Sequence, residues 1–465
     1  MVSNAVVHEL GNKIQVGDAV VGVELNHSPI DVGEAGAGGM MGPYHAADLN
    51  DGRIANLESV FDFPNVANEI GAAYGANKAF HYFGEKTPED AAKSAASFDA
   101  FLDTHLLTVL SGPNNVHVTQ AEAIFDREDA DSRFVYSEKP PANDLEGATK
   151  LAELEQAHPG HIGVVSQNRM WDMVLEAKHL IANGYFDEIT DFEGEYQQDW
   201  MVGCPAVWRI EKGIGGEKGP DEAGNLGKLI DIGHHIYDTL GFVTGKKIDA
   251  VRGAYVKTTV HERAAADGAT FGAGGEEAEM VPVGGDTKYH GDDVLTAQLE
   301  LEGGVTGNVK VSQTNGGNAN RMWFRIYGVK DGQARSISFT TDDANTLTHY
   351  EGDNTISQTR NPGNLAYRTN LAGWIKEGLR LDSPPVEGDT PPKHDQGWRD
   401  AHRKQAQAFA LYAQLITNGV ISTENRSDLY MVPTAAEARD VVSAMKATYQ
   451  MAAEQKDQRK VVDHL

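Results

Sequence analysis

The chain has 465 residues, too many for one ordinary hydrophobic core, so two domains are expected. A hydrophobic share of 40% excludes a wholly disordered chain, and no apolar run is long enough for a membrane-crossing helix. Sixty-eight acids against 40 bases give a net charge of −28, a field that repels nucleic acid and anionic lipid, so neither is an expected partner. The acids are scattered and read as a strongly solvated surface. A single cysteine, Cys204, excludes an internal disulfide and a cysteine metal cage. The opening residues lack the basic start and apolar centre of a signal peptide, which leaves a cytoplasmic location as the expectation.

Along the first 141 residues, short apolar runs alternate with helical patterns. Strands are expected at 19–25, 55–61, 105–110 and 134–137, and helices at 65–74, 88–102 and 116–125. Such alternation predicts βαβ units around a parallel sheet, with ligands at the carboxyl ends of its strands. Amphipathic helices are expected next at 144–157, 170–183 and 230–242. Strand-like runs then follow at 250–259, 294–301, 305–313, 322–327 and 336–340, with no helices between them, which predicts an antiparallel sheet. Segments 263–286 and 382–396 read as coil, and helices close the chain at 398–417 and 435–454. The boundaries drawn from this pattern are 1–141 and 142–465.

Three motifs carry chemistry. The first is GEAGAGGMMG at 33–42. Glycine allows close backbone approach to a pyrophosphate, and Asp62, twenty residues beyond Gly42, is where a carboxylate could accept from ribose hydroxyls. No Arg or Lys occurs between Asp62 and Lys78 to hold a 2′-phosphate, which favours NAD over NADP. Residues 26–32 separate these glycines from the expected strand, and the spacing carries one residue more than GxGxxG, so a plain surface loop is the competing reading. The second motif is EKPPA at 138–142, where Lys139 ends a strand and can serve in proton transfer. The third is DIGHHIYD at 231–238: on a helix, Asp231, His235 and Asp238 share one face, and an aspartate one turn away can orient a histidine and raise its basicity. His234 points roughly 100° away from His235, so no metal site is expected. Asn168, Arg169, Tyr196, Asp199, Trp208, Arg209 and His394 are candidates to line a substrate pocket, with ordinary packing as the alternative for each.

Taken in order, these motifs resemble the glucose–fructose oxidoreductase/inositol dehydrogenase (Gfo/Idh/MocA) family, over most of the chain. SGPNNVH at 111–117, YQQDW at 196–200, WR at 208–209, FVTG at 242–245 and HDQGW at 394–398 add to the likeness and point to a sugar-dehydrogenase branch. The resemblance implies an α/β fold: an N-terminal Rossmann dinucleotide-binding domain, then an α+β domain with a large, open, mostly antiparallel sheet. It implies an NAD-dependent dehydrogenase acting on a carbohydrate hydroxyl, and a homodimer or homotetramer. Lys139, Asp231 and His235 match the family's catalytic set, with His235 removing the hydroxyl proton, Lys139 polarising the same oxygen or sharing the base role, and Asp231 orienting both. Gly36, Gly38, Gly39, Met40, Met41, Asp62, Pro113, Asn114, His117, Glu138 and Lys139 match cofactor contacts. Relatives that retain NAD to cleave or epimerise sugars, and relatives that only sense them, are the alternatives.

Overall fold

The computed structural model describes residues 28–456, apart from 39, 85, 215, 217–225, 266–278, 362–364 and 382–395. Its first layer is a sheet of six parallel strands: β1 (Ile30–Ala35), β2 (Ala55–Asp62), β3 (Lys78–His81), β4 (Leu107–Leu110), β5 (Phe134–Ser137) and β6 (Ile162–Val164). Their spatial order is β3-β2-β1-β4-β5-β6, the Rossmann order, which reverses between β1 and β4. Helices α1 (Gly42–Asp48), α2 (Pro64–Tyr74), α3 (Pro88–Leu102), α4 (His117–Phe125) and α5 (Leu145–Ala157) link the strands. Asp144 caps α5 by accepting from the Gly147 N–H at 2.6 Å, satisfying one of the free amides of its first turn.

The strand that carries the glycines differs from expectation. Segment 19–25 lies outside the described residues, and β1 runs directly into Gly36, so residues 26–32 are no spacer between strand and loop. Its sequence, IDVGEA, lacks an apolar run for two physical reasons. Gly33 is bare because the His105 ring fills the place of a side chain, within 2.0 Å of where a Cβ would stand. Glu34 is buried, accepts from Ser111 Oγ at 3.0 Å, and has its carboxyl pushed well above the usual range by burial. The sixth strand lies past residue 141, so the first sheet draws on chain beyond that boundary.

The second layer is an eight-stranded, mostly antiparallel sheet. Its strands are β7 (Glu188–Gln197), β8 (Ile248–Lys257), β11 (Val294–Leu301), β12 (Val305–Ser312), β13 (Arg321–Lys330), β14 (Gln333–Thr340), β15 (Thr346–Glu351) and β16 (Asn354–Thr359); the short pair β9 (Glu262–Ala264) and β10 (Met280–Pro282) forms a separate ribbon inside the segment expected as coil. The order is β16-β15-β14-β13-β7-β12-β11-β8, with only β7 and β12 parallel. Along β13, Met322, Phe324 and Ile326 are buried while Arg321, Trp323 and Arg325 are half-buried, the period of two that a one-sided sheet requires. Helices α6 (Asp172–Ala182) and α7 (Ile230–Thr244) cover the apolar face. There Ile236 and Leu240 come within 3.0–3.2 Å of where a Cβ on Gly194 of β7 would stand. Burying such side chains is worth about 1.5–3 kcal/mol each.

A short helix α8 (Gly373–Gly378) precedes α9 (Trp398–Thr417) and α10 (Ala435–Lys456). Helix α9 packs on α1, β1, β2 and β5, and α10 packs on α5, α7 and β8. The end of the chain therefore joins both layers. Among the described residues, no helix is long and apolar enough to cross a membrane.

Candidate active site

The carboxyl ends of five parallel strands, β1 to β5, open on one cleft of about 770 Å³. The chain leaves β1 through Gly36, whose φ of +83° suits glycine; a Cβ there would sit 2.4 Å from the Gly112 nitrogen of the turn after β4. Ser111 ties these two turns together by donating to Glu34 Oε1 and to the Ala35 carbonyl at 3.1 Å. A Cβ on Gly38 would fall 2.0 Å from Val66 Cγ1 and 3.2 Å from Asp62 Oδ2. Asp62, at the end of β2, accepts from the Gly38 N–H at 2.7 Å and from the Phe63 N–H at 2.6 Å. Burial pushes its carboxyl up despite these two amides. Gly36, Gly38, Met40, Met41, Asp62, Pro113, Asn114, Glu138 and Lys139 all line the cleft. Bare glycine backbone beside an acid at the second strand end fits a dinucleotide.

His117 stands elsewhere. It is fully buried, and its Nε2 is 2.9 Å from the Gly112 carbonyl, so it supports the turn from behind instead of facing the cleft. Gly39 and His394 lie outside the described residues.

Lys139 projects from the end of β5 to the first turn of α7. Its Nζ donates to Asp231 Oδ1 at 2.8 Å and to the Asp231 carbonyl at 3.1 Å. Burial works against the Asp231 anion, but Lys139 and Arg209 outweigh it and bring the carboxyl down to about 2. One turn on, His235 is buried, with its ring 5.4 Å from that of Tyr196 on β7. Asp231 does not orient it by a hydrogen bond: among the described residues, His235 Nδ1 has no hydrogen-bond partner. Nor is its basicity raised. Burial, the Lys139 ammonium and His234 hold it well below the usual imidazole value, against the pull of Asp231. Asp231 therefore orients the lysine, and His235 is a neutral ring at pH 7.

The other pocket candidates divide. Trp208 and Arg209 line the cleft, with the Arg209 guanidinium 4.5 Å from the Trp208 ring centre. Asn168 is buried and stands beside the Tyr196 hydroxyl, together with Asn320. Arg169 is not available to a ligand, because its guanidinium is locked onto buried Asp238 at 2.6 and 2.9 Å. Asp238 thus serves that pair and Ser166, not His235. Asp199 holds a turn by accepting from the Gly317 N–H at 3.1 Å.

Two sets of residues at the site have no motif in the sequence. Gln313, just past β12, donates to Asp231 Oδ2 at 3.4 Å. Asp292 accepts from the Lys228 and Leu229 N–H groups at 3.2 and 3.0 Å and so fixes the start of α7, while Lys228 and Arg263 pair with neighbouring Asp293. The only local signal is the adjacent pair of acids before β11.

Residues 174–332 match the family model described as the GFO/IDH/MocA C-terminal domain. No curated protein sequence matches the chain. Solved structures share its fold. Levoglucosan dehydrogenase in complex with NADH and levoglucosan is 20% identical with a TM-score of 0.65, over 92% of this chain and 98% of that one. An inositol dehydrogenase homologue from Azotobacter vinelandii, complexed with NADH and myo-inositol, is 19% identical with a TM-score of 0.65, over 92% and 96%. An oxidoreductase domain protein from Kribbella flavida is 20% identical with a TM-score of 0.67, over 92% and 98%. Residues 174–332 thus form a domain of the GFO/IDH/MocA C-terminal type, and the whole chain, with its Rossmann sheet, shares its fold with these proteins.

Proposed function

We propose that this protein is an NAD-dependent dehydrogenase that oxidises a hydroxyl of a sugar, glycoside or polyol. The carrying observation is the meeting of Lys139, from the first layer, with the first turn of α7, from the second, at the mouth of the glycine-lined cleft. NAD, when bound, supplies the hydride acceptor. Its ribose would face Asp62, and its pyrophosphate would follow the backbone at Gly36 and Gly38. The Asp62 carboxylate would repel a 2′-phosphate, which favours NAD over NADP.

The chain's own groups then have distinct tasks. Lys139, held by Asp231, donates to the substrate oxygen and polarises the O–H bond. His235, neutral at pH 7, accepts the hydroxyl proton. The alcohol thus loses a proton to the protein and a hydride to the cofactor, leaving a carbonyl. Asn168, Tyr196, Trp208 and Arg209 are proposed to orient the remaining hydroxyls. The bound ligands of the similar structures, levoglucosan and myo-inositol, support a polyhydroxylated substrate.

The test is absorbance at 340 nm with NAD or NADP across a panel of sugars, anhydrosugars and inositols. NADH formation with at least one of them, and a preference for NAD, is expected. Silence across the panel with both cofactors would sink the proposal.

A further inference from the structure

We propose that His402, from helix α9, is a positioning residue that acts through Glu138 on the peptide bearing Lys139. The inference rests on the dehydrogenase reading for its effect on turnover, but not for its geometry. Glu138 is buried between two imidazoles from two different helices. His45 of α1 places Nε2 at 2.8 Å from Glu138 Oε1, and His402 places Nε2 at 3.8 Å from the same oxygen. The other carboxylate oxygen, Oε2, accepts from the Lys139 backbone N–H at 3.1 Å. Glu138 is thus gripped on one side by histidines and on the other holds the residue whose amine reaches Asp231.

The protonation of His402 follows from its neighbours. The titratable or charged groups around it are Asp48 and His45 on α1, Glu138 after β5 and Arg399 on its own helix. Its Nδ1 lies 2.8 Å from Asp48 Oδ2, and a carboxylate only accepts, so Nδ1 carries hydrogen. Its Nε2 has no hydrogen-bond partner among the described residues and faces the Glu138 carboxylate. A bare lone pair there would repel that anion in a buried, weakly screened place. A proton on Nε2 turns the contact into an attraction. It also balances the cluster, because Asp48 and Glu138 are then matched by Arg399, which pairs with Asp48 at 2.7 and 3.1 Å, and by the imidazolium. Burial opposes this charge, yet Asp48 and Glu138 raise the His402 basicity above the ordinary value. For His45, burial and the neighbouring His402 lower it, so that ring is neutral and donates from Nε2 to Glu138.

Helix α9 lies more than 250 residues from Glu138 in sequence, so the contact is a long-range tie between the end of the chain and the Lys139 turn. The test uses two substitutions that each keep one half of the imidazole. His402→Asn retains a donor toward Asp48 and loses the one toward Glu138, while His402→Gln does the reverse. The first readout needs neither substrate nor NAD: limited acetylation by acetic anhydride, with Lys139 measured by mass spectrometry against exposed Lys150 of the same molecule. His402→Asn is expected to raise the Lys139/Lys150 ratio several-fold, with His402→Gln restoring most of the protection. With a substrate in hand, His402→Asn should lower kcat about 10- to 100-fold at little changed KM. Nitrogen-15 spectra of the wild-type histidines should contain an imidazolium that disappears in His402→Gln. A neutral His402, a stoichiometric divalent ion bound at the cluster, or equal labelling of Lys139 in folded wild type and His402→Asn would overturn the proposal. If no alcohol is oxidised, the labelling and the spectra still decide it.

Discussion

At the scale of single residues, the electrostatics of the candidate site are those of a fixed cation beside a neutral base. Asp231 near 2 stays ionised at any working pH and keeps the Lys139 amine in place. His235 is depressed by burial first and by Lys139 second. A reaction that needs a neutral imidazole loses activity only as pH falls through the group's folded value, so the acid limb of kcat/KM is expected below pH 6.5. Removing the cation in Lys139→Met should raise the His235 value and move that limb to higher pH, whatever happens to the absolute rate. A pH–rate profile of the residual activity checks this; a limb that stays put or moves down would show that His235 is not the titrating base. Among these residues, Lys139, Asp231 and His235 were legible as motifs because each sits in a short, ordered string. Gln313 and Asp292 were not, because they reach the site only through strand pairing and loop return. Arg169 looked like a ligand for sugar hydroxyls because its buried partner, Asp238, lies 69 residues away.

At the scale of elements, the turn from β1 into α1 is the part least tolerant of change. A side chain on Gly36 would meet the Gly112 backbone, which has no room to yield, and would also need a left-handed conformation. Gly36→Ala is therefore expected to destabilise the protein by about 1–3 kcal/mol and to weaken NADH binding. Urea unfolding and a fluorescence titration measure the two effects; wild-type values in both would remove the turn from the cofactor site. The same turn shows why strand β1 was not legible in the sequence. Period and apolar run are the usual marks of a strand, and β1 has neither, since Gly33 yields to His105 and Glu34 is buried beside Ser111. Strand β7 was missed for a different reason. Its pairing with β13 slips between Tyr327 and Gly328, leaving Thr190 as an extra residue, so Ile189 and Phe192 face the core three positions apart instead of two or four. Strands β15 and β16 form a polar edge of the sheet, with β16 largely exposed, and carry little apolar signal.

At the scale of the whole molecule, two sheets of different kind are joined by the last two long helices. Helix α9 presses on the first sheet beside the glycine turn, and α10 spans from α5 to β8. The alternation of strands with helices, followed by strands in succession, made this two-layer plan readable from sequence. The docking of the layers was not readable, because it depends on contacts hundreds of residues apart, such as the pairs of Arg399 and His402 with Asp48. That docking brings the Lys139 amine to α7, and the proposed chemistry depends on it. The most direct measurement is a single turnover of hydride transfer, followed at 340 nm in stopped flow, for wild type and Lys139→Ala saturated with NAD and the best substrate of the panel. The account predicts a rate lower by about 10²–10⁴-fold in the variant, with NAD still bound. An unchanged rate of hydride transfer would contradict it.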